Sequence, residues 1–124
     1  MNAHLHSPVS IAVAQLNLTV GDLVGNADRI IAAVEKARAA GADLLLTPEL
    51  ALAGYPPEDL LLRPDFYRAC NRETDRIAAA ARGITVVLGH PVDDGGQRYT
   101  AASVLRDGKL LARYHKGLLP NYEG

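Results

Sequence analysis

The chain has 124 residues and a formal net charge of −1, with 13 basic and 14 acidic residues, so it lacks the charge excess expected of a nucleic-acid or anionic-membrane binder. No apolar run approaches the roughly 20 residues of a membrane span, and the N-terminus does not resemble a secretory signal. The single cysteine, Cys70, excludes an internal disulfide framework. These features predict a soluble, cytoplasmic protein with one domain.

Residues 1–8 are predicted to form a flexible tail that precedes a domain over residues 9–124. His4 and His6 in this tail could together bind a metal ion. No third ligand lies near them in the sequence, so a solvated tail is the favoured interpretation and no metal site is expected.

The first two predicted elements are a strand and a helix. Ser10–Leu16 is apolar and partly β-branched, as is typical of a buried strand. Asn26 is the expected N-cap of the helix, Asp28 lies in the expected first turn, and Gly41 is the expected C-cap. Between these ends the helix is indicated by apolar residues at helical spacing, namely Ile30, Ile31, Val34 and Ala37.

A second buried strand follows and leads directly to a glutamate. Leu44–Leu46 is apolar throughout, which predicts a strand in the middle of a sheet, parallel to the first. Pro48 has no backbone N–H to donate and stops the strand. Glu49 therefore lies at the carboxyl end of a buried strand, where α/β sheets often place their catalytic groups. Its position alone leaves a loop or cap carboxylate as the alternative interpretation.

A Gly- and Pro-rich loop and a helical turn at residues 60–62 lead into a second predicted helix, from about Pro64 to Arg82, which Gly83 ends. Its apolar residues roughly share one face, and they are Phe66, Cys70, Ile77, Ala80 and Ala81. Because Cys70 lies in this stripe, we expect its thiol to be buried and inert.

Three further strands are predicted. Ile84–Gly89 is a buried strand, a turn follows at residues 93–96, and Tyr99–Arg106 and Lys109–His115 form a hairpin around Asp107-Gly108. The expected fold class is α/β, with a mixed sheet and helices on one face. Because the central strands are apolar throughout, the bare face requires cover, so the chain is either incomplete or packs against something else.

Lys116 is the second charged residue that stands out by its position. Strict alternation would place Leu110, Ala112, Tyr114 and Lys116 on one face of the last strand. A lysine among apolar neighbours either extends its amine to solvent or is buried for a function. The pattern does not decide between a surface cation and a catalytic one.

Three segments, over nearly the whole chain from Val9, resemble the carbon–nitrogen hydrolase (nitrilase) superfamily: VAQLNLTVGDLVGNADRI, LLLTPELALAGYPPEDLLL and YHKGLLPNY. Within it, GYPPEDLL and LPNY are most similar to the glutaminase domain of glutamine-dependent NAD⁺ synthetases. The resemblance implies the first half of a four-layer α-β-β-α sandwich, in which the missing half would cover the bare face of the sheet.

The family hydrolyses amides with a glutamate, a lysine and a cysteine. By motif match, the resemblance implies that Glu49 is the general base and that Lys116 stabilises the oxyanion. It also implies that Tyr55 and Tyr122 shape a pocket for glutamine, whose side-chain amide the cysteine would attack to release ammonia. This ammonia would amidate deamido-NAD⁺ in a separate synthetase domain that uses ATP and Mg²⁺.

The family's nucleophile has no counterpart in these residues. In the family the cysteine lies well beyond the lysine, whereas Cys70 lies between Glu49 and Lys116 and matches no part of the nucleophile motif. We therefore expect a glutaminase domain truncated before its nucleophile, inactive alone, without a cofactor of its own, and derived from a full-length homo-oligomer. The alternatives are another nitrilase-type amidase and a non-catalytic remnant that acts as an interaction module.

Overall fold

The computed structural model describes residues 8–54 and 58–119, which form a five-stranded mixed sheet, two α-helices and a 3₁₀ turn. The elements are, in chain order, β1 Ile11–Val13, α1 Leu23–Ala39, β2 Leu44–Leu46, the 3₁₀ turn Glu58–Leu62, α2 Pro64–Ala80, β3 Thr85–Asp94, β4 Gln97–Arg106 and β5 Lys109–Leu118. The predicted α/β class is confirmed. Within these ranges, no helix has both the length and the apolar character that a bilayer crossing requires.

The strands lie side by side in sequence order. As predicted, β1 and β2 are parallel and β4 and β5 form an antiparallel hairpin; β3 is parallel to β2 and antiparallel to β4. Consequently β5 runs in the same direction as the first three strands. We call the part of the sheet beyond the ends of β1 and β2, where β3 continues from Gly89 to Asp94 and β5 from Tyr114 to Leu118, the carboxyl edge.

Strand β3 is longer than predicted and forms a hairpin with β4. The prediction ended the strand at Gly89, but the strand continues to Asp94 and turns through Gly95-Gly96, where both residues have positive φ. Gly89 and Pro91 are unfavourable inside a strand. Pro91 is tolerated here because β2 ends at Leu46, so its missing N–H removes no bond from the β2–β3 ladder.

Helix α1 begins earlier than predicted. Its N-cap is Asp22, whose Oδ1 accepts a 3.0 Å hydrogen bond from the Gly25 N–H. The prediction of Asn26 as N-cap is therefore wrong, and Asp28 does not lie in the first turn. The predicted C-cap is one residue late: the C-cap is Ala40, and Gly41 follows it with a φ of +85°.

The helices cover one face of the sheet, as predicted. Residues on this face are buried in the core with α1 and α2, among them Leu45, Val86, Leu88 and Leu105. The other side, which we call the open face, carries the register-matched residues Ile11, Val13, Leu44, Leu46, Val87, Ala102, Val104, Ala112 and Tyr114. On it, Val13 and Tyr114 are 66% and 62% exposed, so an apolar sheet surface faces outward.

Two bulges interrupt β5. Leu111 and Lys116 have no partner in β4, because the register shifts by one residue at each of them. Each bulge reverses the alternation of the residues beyond it. The prediction that Leu110, Ala112, Tyr114 and Lys116 share one face is therefore wrong, and only Ala112 and Tyr114 lie together on the open face.

The choice of N-cap can be tested by removing its side chain. We expect Asp22→Ala to lower the free energy of unfolding by about 1 kcal/mol, because the Gly25 N–H loses its acceptor. Urea denaturation measures this difference. The matched control is Glu35→Ala, which removes an exposed carboxylate from the same helix and should change stability by less than about 0.5 kcal/mol. Equal losses in the two variants would contradict the assignment of Asp22.

Candidate active site

Glu49 follows a threonine that attaches its loop to β3. The Thr47 hydroxyl donates a 2.9 Å hydrogen bond to the Val87 carbonyl and accepts one of 3.1 Å from the Gly89 N–H. The Thr47 N–H also donates to the Val87 carbonyl, at 3.1 Å. These bonds extend the contact between the two strands by one residue after the β2–β3 ladder ends. The chain therefore leaves β2 alongside β3, which places Glu49 at the carboxyl edge.

The backbone around Glu49 packs directly on Gly89. A Cβ added to Gly89 would lie 2.5 Å from the Pro48 carbonyl oxygen, 2.8 Å from the Leu50 nitrogen and 3.1 Å from the Glu49 Cα. Backbone atoms at these distances leave no room for any side chain, so this close approach requires glycine. Leu88 faces the core, so its neighbour Gly89 lies on the open face of β3. The loop that carries Glu49 packs on Gly89 and therefore lies against this open face.

A sharp turn comes directly after Glu49. Leu50 has a φ of +54°, a left-handed conformation that is uncommon for a residue with a side chain. Leu50 is only 2% exposed, and its carbonyl accepts hydrogen bonds from the N–H groups of Ala53 and Gly54 at 3.1 and 3.0 Å. Burial and these bonds offset a strain of about 1–3 kcal/mol. The turn directs the chain back into the core and leaves Glu49 exposed.

Asn26 ties this turn to α1. Its Nδ2 donates to the carbonyl oxygens of Thr19 and Leu52 at 2.7 and 3.0 Å, and its Oδ1 accepts from the Thr19 N–H at 2.8 Å and from Arg29 at 3.2 Å. The Asn26 amide is fully buried and uses both donors and its acceptor. It therefore fixes the position of Leu52, three residues after Glu49, relative to the helix.

Lys116 lies on the second bulge of β5. Its neighbours His115 and Gly117 pair with Ala101 and Thr100, so Lys116 is the unpaired residue. Bulges are frequent next to active sites because they redirect a side chain away from the regular alternation. The side chain of Lys116 is exposed.

The fold brings Glu49 and Lys116 to the same edge of the sheet. Glu49 contacts β3 at Gly89, and Lys116 lies beside Ala101, whose partner in β3 is His90. Because β3 and β5 are two strand spacings apart, the two backbones are separated by about 10 Å across the sheet. Glutamate and lysine side chains that extend toward each other from these positions can contact one small substrate between them.

Cys70 is enclosed in α2 and is not a reactive thiol. Its side chain is fully buried, and this burial raises the pKa of Cys70 to about 12. The thiolate, which is the nucleophilic form, is therefore scarce near neutral pH. The prediction that the thiol is buried is confirmed.

Two predicted binding residues, Tyr55 and Tyr122, lie outside the described residues. Among residues 8–54 and 58–119, no group of three or more His, Cys, Asp or Glu side chains could hold a metal ion. A groove of about 770 Å³ runs between β1 and α1, with Arg29 and Lys36 in its lining. Glu49 and Lys116 do not line this groove, so it is separate from the candidate site.

The residues that hold Glu49 in place were not predicted from the sequence. Thr47 lies in the TPEL segment that resembles the carbon–nitrogen hydrolase family, and this resemblance is the only feature of the sequence that points to Thr47. Gly89 was assigned to a strand, but its contact with the Glu49 loop joins segments that are distant in the sequence. Asn26 was assigned to a helix cap, because Asn is typical there and its tertiary hydrogen bonds leave no local pattern.

The close contact at Gly89 predicts that even a methyl group displaces the loop. We expect Gly89→Ala to lower the free energy of unfolding by about 1–3 kcal/mol, since the new Cβ meets backbone atoms that must move. Gly117→Ala is the matched control, because a Cβ there meets only Thr100 Oγ1, at an ordinary 3.7 Å. Urea denaturation compares the two. Equal stability of both variants would show that the Glu49 loop does not pack on β3 as described.

The state of Cys70 can be read from its reaction with a thiol reagent. We expect a disulfide reagent at pH 8 to label the folded chain far more slowly than the urea-unfolded chain, because burial keeps the thiol protonated and inaccessible. Stopped-flow absorbance measures both rates. Labelling of the folded chain as fast as that of the unfolded chain would contradict a buried thiol.

Comparison with known proteins places these features in a family. The carbon-nitrogen hydrolase family model matches residues 10–123. A glutamine-dependent NAD(+) synthetase from Xylella fastidiosa is 53% identical over 113 residues, which are 90% of this chain and 21% of that protein. The chain thus spans about a fifth of the length of the curated relatives it matches.

Solved structures agree with the sequence relatives. A glutamine-dependent NAD(+) synthetase from Cytophaga hutchinsonii superposes with a TM-score of 0.86 at 32% identity, over 93% of this chain and 20% of that one. An amidase from Nesterenkonia sp. superposes with a TM-score of 0.75 at 31% identity, over 87% of this chain and 42% of that one. The chain belongs to the carbon-nitrogen hydrolase family.

Proposed function

We propose that this chain is the first part of the glutamine-hydrolysing domain of a glutamine-dependent NAD⁺ synthetase, with Glu49 as general base and Lys116 as oxyanion stabiliser. The observation that carries the proposal is that both residues are exposed and lie at the carboxyl edge, Glu49 against Gly89 of β3 and Lys116 on a bulge of β5. The relatives support the choice of enzyme, because matched chains that are 53% and 45% identical are glutamine-dependent NAD(+) synthetases.

The proposed role of Glu49 requires a carboxylate that is accessible and fixed. Its carboxylate takes the proton from the attacking thiol and later removes a proton from the water that hydrolyses the thioester. The exposed side chain is accessible to both. The loop is fixed by the Thr47 bonds, the contact with Gly89 and the buried amide of Asn26, so the base does not have to be ordered during the reaction.

The proposed role of Lys116 is electrostatic. When the thiolate attacks the side-chain amide of glutamine, the amide oxygen becomes an oxyanion, and a nearby ammonium group stabilises this charge. The bulge places Lys116 outside the regular pairing of β5, at the edge where Glu49 lies. Base and cation would then act on opposite sides of one amide group.

The nucleophile is proposed to come from sequence outside these 124 residues. A solved structure of a mutant of the related amidase from Nesterenkonia sp. shows covalent addition of the acetamide moiety of fluoroacetamide at the active-site cysteine. The single cysteine here, Cys70, is buried in α2 and protonated near neutral pH. The chain alone, a domain over residues 9–124, is therefore proposed to be inactive in glutamine hydrolysis.

The remaining parts of the proposal come from the resemblance. Glutamine is the proposed substrate, and Tyr55 and Tyr122 are proposed to contact it. The proposed partners are the second half of the domain, which packs on the open face as the next sheet of an α-β-β-α sandwich, and a synthetase domain that uses ATP and Mg²⁺. The complete enzyme is proposed to be a cytoplasmic homo-oligomer.

The proposal can be tested in a chimera, in which this chain replaces the matching segment of the Xylella fastidiosa synthetase. We expect glutamine-dependent NAD⁺ formation to fall by about 10²–10⁴-fold in Glu49→Gln. In Lys116→Met the fall should be about 10²–10³-fold. Product formation from added ammonia should be unaffected, since it bypasses glutamine hydrolysis.

Glu35→Gln, an exposed carboxylate in α1, is the control variant and should keep the activity of the chimera. The isolated chain should release no ammonia from glutamine. Full glutamine-dependent activity of the Glu49→Gln chimera would overturn the proposed site. Glutamine hydrolysis by the isolated chain would overturn the proposal that the nucleophile lies elsewhere.

A further inference from the structure

Three polar side chains form a connected row beneath the carboxyl edge, on the helix-covered face. The His90 Nε2 and the Ser103 hydroxyl are 2.6 Å apart, and the Arg113 Nε donates to the same hydroxyl at 2.8 Å. The His90 Nδ1 lies 3.0 Å from the Pro91 carbonyl oxygen. His90 and Ser103 are fully buried. The row crosses β3, β4 and β5 in turn.

The hydrogen-bond directions in this row are determined by its two ends. A carbonyl oxygen only accepts, so His90 Nδ1 carries the proton and Nε2 accepts from the Ser103 hydroxyl. The hydroxyl oxygen in turn accepts from Arg113, which has no acceptor of its own. This arrangement requires a neutral imidazole, and burial lowers the pKa of His90 to about 4, with a smaller lowering contribution from Arg113.

The row reaches β5 between the two bulges of this strand. Ser103 pairs directly with Arg113, which lies between the bulges at Leu111 and Lys116. Alternation cannot fix the register of a strand with a bulge on either side, because each bulge allows a shift of one residue. Burial of apolar residues contributes little to the register of β5, since Leu110 and Leu111 are 50% and 56% exposed.

We propose that His90, Ser103 and Arg113 are positioning residues that lock the register of β5 and thereby hold Lys116 at its place on the bulge. A slip of β5 by one residue would separate the Arg113 guanidinium from the Ser103 hydroxyl and break the hydrogen bond between them. The importance of this lock for catalysis rests on the proposed function of Lys116, whereas the lock itself does not.

Two carboxylates and burial act on the pKa of Arg113 in opposite directions. Asp94, in β3, and Asp75, in α2, both act to raise the pKa of Arg113, and burial acts more strongly to lower it. The hydrogen bond from Arg113 to Ser103 joins β5 to β4. An apolar side chain at residue 113 could pack there but could not select one register.

The test is the register of β5 in the isolated 124-residue chain, measured by NMR. In the wild type, cross-strand contacts between Ala102 and Tyr114 and between Ala101 and His115 report the native pairing. In Ser103→Ala we expect these contacts to weaken or to appear in two sets. We also expect amide hydrogen exchange over residues 113–117 to accelerate at least about tenfold. The β3–β4 contacts should persist.

Thr85→Val is the matched control. It removes a hydroxyl that accepts a 3.1 Å hydrogen bond from Arg106, at the other end of the same sheet, and should leave the β5 contacts intact. If Ser103→Ala does not fold, Arg113→Met and Arg113→Lys replace it. The lysine variant keeps a donor for Ser103 and should retain more of the native contacts than the methionine variant.

Native β5 contacts and unchanged exchange in Ser103→Ala, or equal behaviour of the Arg113→Met and Arg113→Lys variants, would overturn the lock. Neither readout involves glutamine. An intact lock combined with full activity of the Lys116→Met chimera would therefore refute the proposed function and leave the register lock standing.

Discussion

The contact between the Glu49 loop and Gly89 is the constraint on which the candidate site depends. The loop follows a strand of only three residues, so the β2–β3 ladder alone does not determine its path. The Thr47 hydroxyl and the absence of a Cβ at Gly89 together hold the backbone against β3. Leu50 then turns in a left-handed conformation and returns the chain to the core. Glu49 remains exposed between Thr47, which is hydrogen-bonded to β3, and the buried Leu50.

The other half of the site is held differently. Lys116 lies on an outer strand, where few side chains pack, and a bulge removes it from the ladder. Its position depends on the strand as a whole, and a buried polar row reaches β5 from β3 through β4. One candidate residue is thus fixed by close backbone packing and the other by hydrogen bonds in the core. Both sets of contacts hold residues at the carboxyl edge, while the open face of the sheet is left free to pack against a further layer of structure.

Several features of the fold could be predicted from the sequence because they have local causes. The apolar run before Glu49, the stripe of α2 and the Asp107-Gly108 turn each predicted an element that the structure contains. The bulges and the length of β3 could not be predicted, since they depend on which strand lies alongside and where it ends. Glu49 and Lys116 were singled out by position and by family resemblance. Asn26 and Gly89 support the site through contacts between distant segments, which leave no periodic signal.

The central claim is that Glu49 and Lys116 lie at one edge of the sheet, about two strand spacings apart. The most direct test places a nitroxide label on Lys116→Cys, with Cys70 left in its buried, unreactive state, and measures paramagnetic broadening of backbone amide signals by NMR. We expect strong broadening of the signals of Thr47 and Glu49 and little effect on those of Lys109 and Asp107, at the opposite end of the sheet. Unbroadened signals for Thr47 and Glu49 would contradict it.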